Sequence, residues 1–398
     1  MINKIKIPLK VTLLTPLHIG SGRELIVGQD VLIRNGEAVV LSFDEILKNY
    51  YHNMSFIGRI SNVIANRGSL SEIMSERDIL KFVKYKVSVK KKNFTRARKI
   101  KEFIKDAHLN PYIPGTSIKG GIRTLIFQKY VRDNPKVFKG FKDEISKFVK
   151  TRNKNSEKDI KNFEKEVFGK DAKIDPLKSF SVSDAYLEIK DLKVYTSKIF
   201  DISNDGERCG WRKSKGRESE LTGISEATPI FVEAIKDGST SHTEIYIDSF
   251  YLNKVGFDKW FVNLLSNPYK NLSEISVEYA KREIDREVDF LNKFVKECKD
   301  LKAVIGVLKK LKSKIEKDPE AIYLRIAWGI GWRGMTGDYM DDGTIRALLN
   351  SKIIKQGRSK ATIFPKTRRF VVLLIDGKEY PCFPFGWIKL KEAKKNGK

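Results

Sequence analysis

Lys119 and Arg123 stand four residues apart near the start of a helix signalled by NPYIPGTSIKGGIRTLIFQKY, residues 110–130, and together they could hold an anion. Ile118, Ile122, Leu125 and Ile126 recur at helical spacing and form its apolar face. Pro111 and the Pro114-Gly115 pair mark a turn before it, so Thr116 or Ser117 is the expected cap. Two like charges at the positive end of a helix dipole cost about 0.2–0.5 kcal/mol. A phosphate there would reverse the sign, because free N–H groups, dipole and cations would all point at it. A solvated helix face is the bland alternative. Gly120 and Gly121 each cost about 1 kcal/mol inside a helix, which a close approach of other backbone would offset.

Three further stretches carry candidate chemistry. TPLHIGSGRE places His18 at the mouth of a loop formed by Gly20, Ser21, Gly22 and Arg23, whose backbone can approach a ligand. His18 is also the one histidine positioned to act as a general acid or base in RNA cleavage. Trp211 is expected in a charged surface loop, residues 201–221, among Arg208, Arg212, Lys213, Lys215 and Arg217, where it could stack on a base or simply pack. The late GIGWRGMTG offers Gly329, Gly331, Trp332 and Arg333.

Several familiar chemistries are excluded. GTSIKGG lacks the Gly-Lys-Ser/Thr order of a nucleotide-binding P-loop, and GIGWRG has no βαβ unit around it. YMDD, residues 339–342, resembles the metal-binding turn of reverse transcriptases but lacks flanking hairpin strands. His52, His108 and His242 occur singly, so no metal or other cofactor is expected.

The elements that must position these residues are legible in outline. Residues 5–15, IKIPLKVTLLT, alternate as a strand that ends at Thr15-Pro16, and Asn35-Gly36 marks a hairpin. Residues 43–73 read as irregular helix. A basic strand-like run follows, with Tyr85 and Phe94 among its cations. Residues 132–178 are helical around a mobile-looking stretch, TRNKNSEKD. FSVSDAYLEIKDLKVYTSKIF reads as strands around Asp184, and Asp237-Gly238 marks a second hairpin. Val277 to Ile315 carry an apolar stripe at steps of three and four, which predicts a packed helical hairpin with Gly306 as a weak point. A strand at IYLRIAW, a short helix over 345–354 and a strand at RRFVVLLID complete the pattern.

With 398 residues, 41% of them hydrophobic, the chain can bury a large core. Its formal charge of +27 and pI near 9.7 imply a polyanionic partner, nucleic acid in preference to a membrane. No apolar run approaches a membrane span and no signal-peptide pattern opens the chain, so a cytoplasmic protein is expected. Cys209, Cys298 and Cys382 are far apart with no CxxC pair, which fits a reducing compartment and argues against zinc or a disulfide framework.

TPLHIGSG after the first strand, IPGTSIKGGIR opening a helix, FSVSDA, GIGWRGMTG and the terminal PFGWIKL together resemble the RAMP superfamily of CRISPR proteins. Their order, with the chain length, is most similar to the fifth-subunit family of the type III-A (Csm) effector complex. That resemblance implies an α+β fold: an RRM-like (ferredoxin-like) RAMP core with helical insertions. The corresponding division is a core at 1–255, a helical insertion at 256–320 and a C-terminal part at 321–398 that returns to the core. It implies a non-catalytic RNA-binding subunit that caps the 3′ end of the guide (CRISPR) RNA and serves guide maturation, assembly and antiviral defence. Its partners would be the guide RNA, target RNA, a neighbouring RAMP backbone subunit, the small helical subunit and a recruited host nuclease. The competing readings are a metal-independent RAMP endoribonuclease using His18, and a DNA-binding or ribosomal-type module.

Overall fold

The computed structural model describes residues 4–89, 98–169, 171–215, 218–254, 258–353 and 361–393. Most of the basic run expected to mix cations with Phe94 lies outside them.

The first strand, Lys4–Leu13, follows its alternation: Ile7, Leu9, Val11 and Leu13 are buried. It is flanked by Thr240–Asp248 and Trp387–Glu392, both antiparallel, so residues from the two ends of the chain share one sheet. Among the described residues that sheet has the order Ile322–Arg325, Trp387–Glu392, Lys4–Leu13, Thr240–Asp248, Phe180–Val182. The core helix, Gly115–Asp133, and the long helix, Pro268–Asn292, pack against it and against each other. The long helix also meets Leu301–Lys317 in the expected hairpin, which passes through Gly306 without a break.

A second, larger sheet is organised on Leu192–Ile202, which pairs with Val83–Val89, Cys209–Lys215, Ile230–Ile235 and Arg368–Ile375. The Asn35-Gly36 hairpin forms as its residue types predict, with φ of 48° and 78° at the two turn positions. The Asp237-Gly238 hairpin does not. Ile230–Ile235 belongs to the second sheet and Thr240–Asp248 to the first, so this turn carries the chain between sheets. Phe231 through Ile235 are buried on both faces, a sign of an interior strand rather than one arm of a surface hairpin. The stretch expected to be mobile is likewise ordered: Arg152 ends one helix at φ 53°, and the Asn153 side chain caps Lys154–Lys161.

The core helix buries Ile118, Ile122, Leu125 and Ile126 as its spacing requires. Its cap differs from expectation. Neither Thr116 nor Ser117 caps it; the helix already begins at Gly115, and the Gly115 N–H donates to Asp184 Oδ1 at 2.7 Å. A carboxylate from the FSVSDA segment replaces the local cap because Gly115 lies hard against that segment: a Cβ there would fall 2.0 Å from the Val182 carbonyl oxygen. Gly121 admits Ile326, whose Cγ2 would sit 2.7 Å from an added Cβ, whereas Gly120 faces open space.

These glycines predict opposite outcomes. Gly115→Ala should lower stability by at least about 1–3 kcal/mol, since the helix must leave the strand. Gly120→Ala should raise it by up to about 1 kcal/mol. Thermal melts of both variants check this, and equal shifts would refute the close-approach reading.

Candidate nucleic-acid interface

Backbone hydrogen bonds bring the beginning, the late glycine-rich stretch and the end of the chain together. The Trp328 N–H donates to the His18 carbonyl at 3.2 Å, and Gly386 N–H to that of Pro16 at 3.0 Å. Ile326 N–H donates to Gly386 O at 2.9 Å, and Leu14 N–H to Trp387 O at 2.8 Å. Gly386 has φ 92°, and a Cβ there would lie 2.2 Å from the Ile326 oxygen, so no other residue fits. The core helix joins the same junction through Thr124, whose hydroxyl lies 3.4 Å from the Met335 carbonyl.

His18 does not sit at a loop mouth. It is 2% exposed, with Nδ1 donating to the Glu233 carbonyl at 2.6 Å and its ring edge-on to Trp328. Burial lowers its pKa to about 4, so it is neutral near pH 7 and closed to a substrate. Beneath it the buried Glu233 carboxylate accepts from Lys105 Nζ at 2.6 Å, Tyr85 OH at 2.9 Å and Phe103 N–H at 2.9 Å. Gly20, Ser21, Gly22 and Arg23 are exposed, but they form a strand, Gly20–Ile26, that bulges away from Lys99–Phe103. Ser21 Oγ donates to Glu102 at 2.8 Å, and Arg23 lies 4.0 Å from the same carboxylate.

The expected phosphate clasp is not presented either. Lys119 Nζ turns inward to the Phe180 carbonyl at 2.6 Å, and burial lowers its pKa. Arg123 lies over the Phe168 ring at 3.8 Å and pairs with Asp175 at 2.7 Å and Glu164 at 3.2 Å. Thr116 is exposed and Ser117 half-buried on the first turn. Trp211 is no exposed platform: it is 1% exposed, packs edge-on to Phe200, and its Nε1–H donates to Asp300 at 2.7 Å. Two of its cationic neighbours are engaged, Arg212 with Asp201 and Lys213 with Glu226, while Arg208 is exposed; Arg217 and the Lys215 side chain lie outside the described residues. A charged sequence around one tryptophan here marks a strand with one buried face.

The late glycine-rich stretch lies at the surface in part and turns sharply. Gly329 and Gly331 have φ of 90° and 77°, Gly331 is exposed, and Trp332 and Arg333 are half-buried. Arg333–Gly337 then makes a short π-helical turn. Asp338 follows with its side chain wholly buried, paired with Arg132 of the core helix and Arg282 of the long helix at 3.0 Å each, and with Arg286. YMDD is accounted for locally: Tyr339 packs among phenylalanines, Asp341 caps Asp342–Asn350, and Asp342 pairs with Arg333 at 2.5 Å.

Between this stretch, the long helix and the segment before Arg368–Ile375 opens a cleft of about 410 Å³. Arg286, Arg333, Lys366, Arg368 and Arg369 line it against Glu283 and Glu287, with Trp332 and Phe364 in edge contact. Cations in excess, aromatic rings and glycine backbone in one cleft suit a phosphate with its base. Arg286, Lys366, Arg368 and Arg369 were not recognisable from spacing alone; the Arg282/Arg286 pair on one helix face and the Arg368-Arg369 doublet were the available signals.

A family model described as the RAMP superfamily matches residues 10–307. A Methanocaldococcus jannaschii protein named CRISPR system Cms protein Csm5 is 27% identical over 353 residues, spanning 83% of this chain and 73% of that protein. The fold is similar to the crystal structure of T. onnurineus Csm5, with TM-score 0.62 and 22% identity over 95% of this chain and 99% of that one. It is also similar to a chain in the cryo-EM structure of a Csm–crRNA–target RNA ternary complex of a type III-A CRISPR-Cas system, with TM-score 0.61 and 22% identity over 97% and 100%.

The buried histidine has a pH consequence. Its folded pKa of about 4 lies below the unfolded value of 6.5, so the unfolded chain binds the extra proton between them. Stability is therefore fully present above pH 6.5 and falls toward pH 4, by up to roughly 3 kcal/mol from this one group. His18→Gln retains an N–H donor and does not titrate, so its melting temperature should fall less over that interval. Parallel curves for the two proteins would contradict a buried neutral imidazole.

Proposed function

The chain belongs to the RAMP superfamily, and from that premise we propose that it is the fifth-type, RNA-binding subunit of a type III-A CRISPR (Csm) effector complex. The observation that carries this is the cationic, aromatic cleft beside Gly329–Arg333. In this reading the subunit caps the 3′ end of the guide RNA and is needed for guide maturation and complex assembly in the cytoplasm. It contacts a neighbouring RAMP backbone subunit, the small helical subunit and target RNA, and a host nuclease is recruited to trim the guide.

Three features support the finer parts. The strand order Trp387–Glu392, Lys4–Leu13, Thr240–Asp248, Phe180–Val182, with two helices packed against it, is that of a βαββαβ unit, which supports an RRM-like core. Gly20–Arg23 leave the buried His18 for an exposed strand edge joined to the same junction, so guide backbone can run from there toward the cleft. The subunit holds RNA without cutting it, because the candidate acid–base group, His18, is neutral and enclosed.

Binding of a guide-length RNA to the purified protein tests the proposal. The log–log dependence on salt should be steep, about −0.7 per neutralised phosphate on a single strand. Trp332→Ala/Arg333→Ala should weaken binding at least tenfold at fixed salt, given roughly 1.5–3 kcal/mol for a charge-assisted contact. Lys119→Ala/Arg123→Ala should instead lower the melting temperature with little change in affinity, since both cations hold protein groups. Precursor guide RNA should stay intact with wild type and with His18→Ala alike. A flat salt response with undiminished binding by the Trp332/Arg333 variant would sink the cleft as the RNA site.

A further inference from the structure

We propose that Cys209 and Cys298 are a dithiol that the fold holds ready to close into an intrachain disulfide. The two sulfurs lie 2.8 Å apart although 89 residues separate them in sequence, closer than non-bonded sulfur atoms ordinarily approach. Their carriers are fixed independently of the sulfurs. Cys209 opens the strand Cys209–Lys215, opposite Ile202 in the second sheet. Cys298 lies in the turn of the helical hairpin, where its N–H donates to Phe294 O at 2.9 Å and its carbonyl accepts from Leu301 N–H. Two residues beyond each cysteine, Trp211 Nε1–H donates to Asp300 at 2.7 Å, a second tie between the same two segments. Closing the gap to a bonded length of about 2.05 Å requires a shift below roughly 1 Å.

The two thiols share one hydrogen bond in which either can be the donor, and Cys209 Sγ also lies 3.4 Å from Glu297 Oε2. Either sulfur, once ionised, can open the exchange, and the steps are the same with the roles reversed; Cys298 stands first here. It attacks one sulfur of an external disulfide such as oxidised glutathione and expels one glutathione thiolate. Cys209, on losing its proton, then attacks the Cys298 sulfur of the mixed disulfide and expels the second. The protein pair gives up two electrons, the external disulfide takes them, and the two protons end on the released thiols. Both cysteines are half-buried rather than enclosed, which leaves the pair open to a small oxidant. The bridge would tie the edge of the second sheet to the helical hairpin and restrict the unfolded chain across a long loop.

The test uses the full chain and does not depend on RNA binding. After equilibration with oxidised glutathione and alkylation of remaining thiols, intact mass should show two hydrogens lost and one alkylatable cysteine. Peptide mapping without reduction should join Cys209 to Cys298. The loss should vanish in Cys209→Ser and persist in Cys382→Ser. The oxidised protein should melt several degrees above the reduced one, and that difference should disappear in Cys298→Ser. Three alkylatable thiols after oxidation, a bridge involving Cys382, or an oxidised form that melts below the reduced one would each overturn the proposal.

Discussion

The buried carboxylate of Asp338 is the constraint on which the rest of this architecture depends. It lies among Arg132, Arg282 and Arg286, one from the core helix and two from the long helix, at the end of the late glycine-rich stretch. A carboxylate removed from water is tolerated only when paired, and here the partners come from the two helices that cover the first sheet. The glycine-rich stretch is thereby pinned to both helices at once. Three guanidiniums around one carboxylate also leave positive charge over, partly shared with Glu278, and Arg286 faces the cleft as well. The anchoring of the loop and the cationic character of the cleft thus have the same physical origin.

The motifs that make this chain resemble its family turn out to be largely junctions. Gly115 and Gly386 permit backbone contacts that a methyl group would block, and Asp184 caps the core helix across a sequence gap of 69 residues. Trp387 is wholly buried, its backbone N–H donating to Thr15 Oγ1. What remains for solvent is a thin layer of the same motifs: Gly20–Arg23 on one strand edge and Gly331–Arg333 at the cleft. Motif likeness therefore reports chiefly on how the core closes, and the lining of the cleft comes partly from residues outside the motifs, such as Arg368 and Arg369.

The net charge of +27 tells less about location than about class. Many of the conspicuous cations are already engaged within the protein: Arg123 with Asp175 and Glu164, Arg325 with Glu283, Lys105 with Glu233, Lys198 with Glu379. Surface pairs contribute little stability, but buried ones such as the last three decide which side chains remain for a ligand. A basic cluster in sequence is a poor guide to a basic site in space.

From the sequence by itself came the elements whose signals are local: the alternating first strand, the apolar face of the core helix, the Asn35-Gly36 hairpin and the helical hairpin. These depend on backbone propensity and on side-chain periodicity within a few residues. Tertiary structure alone decided that Asp237-Gly238 links two sheets, that His18 and Trp211 are buried, that Lys119 and Arg123 serve protein partners, and that Cys209 meets Cys298. Each of those outcomes depends on a contact between segments far apart in the chain, 215 residues for His18 and Glu233 and 89 for the cysteines. Solvent exposure and charge pairing are properties of such contacts, and no local pattern of residue types encodes them.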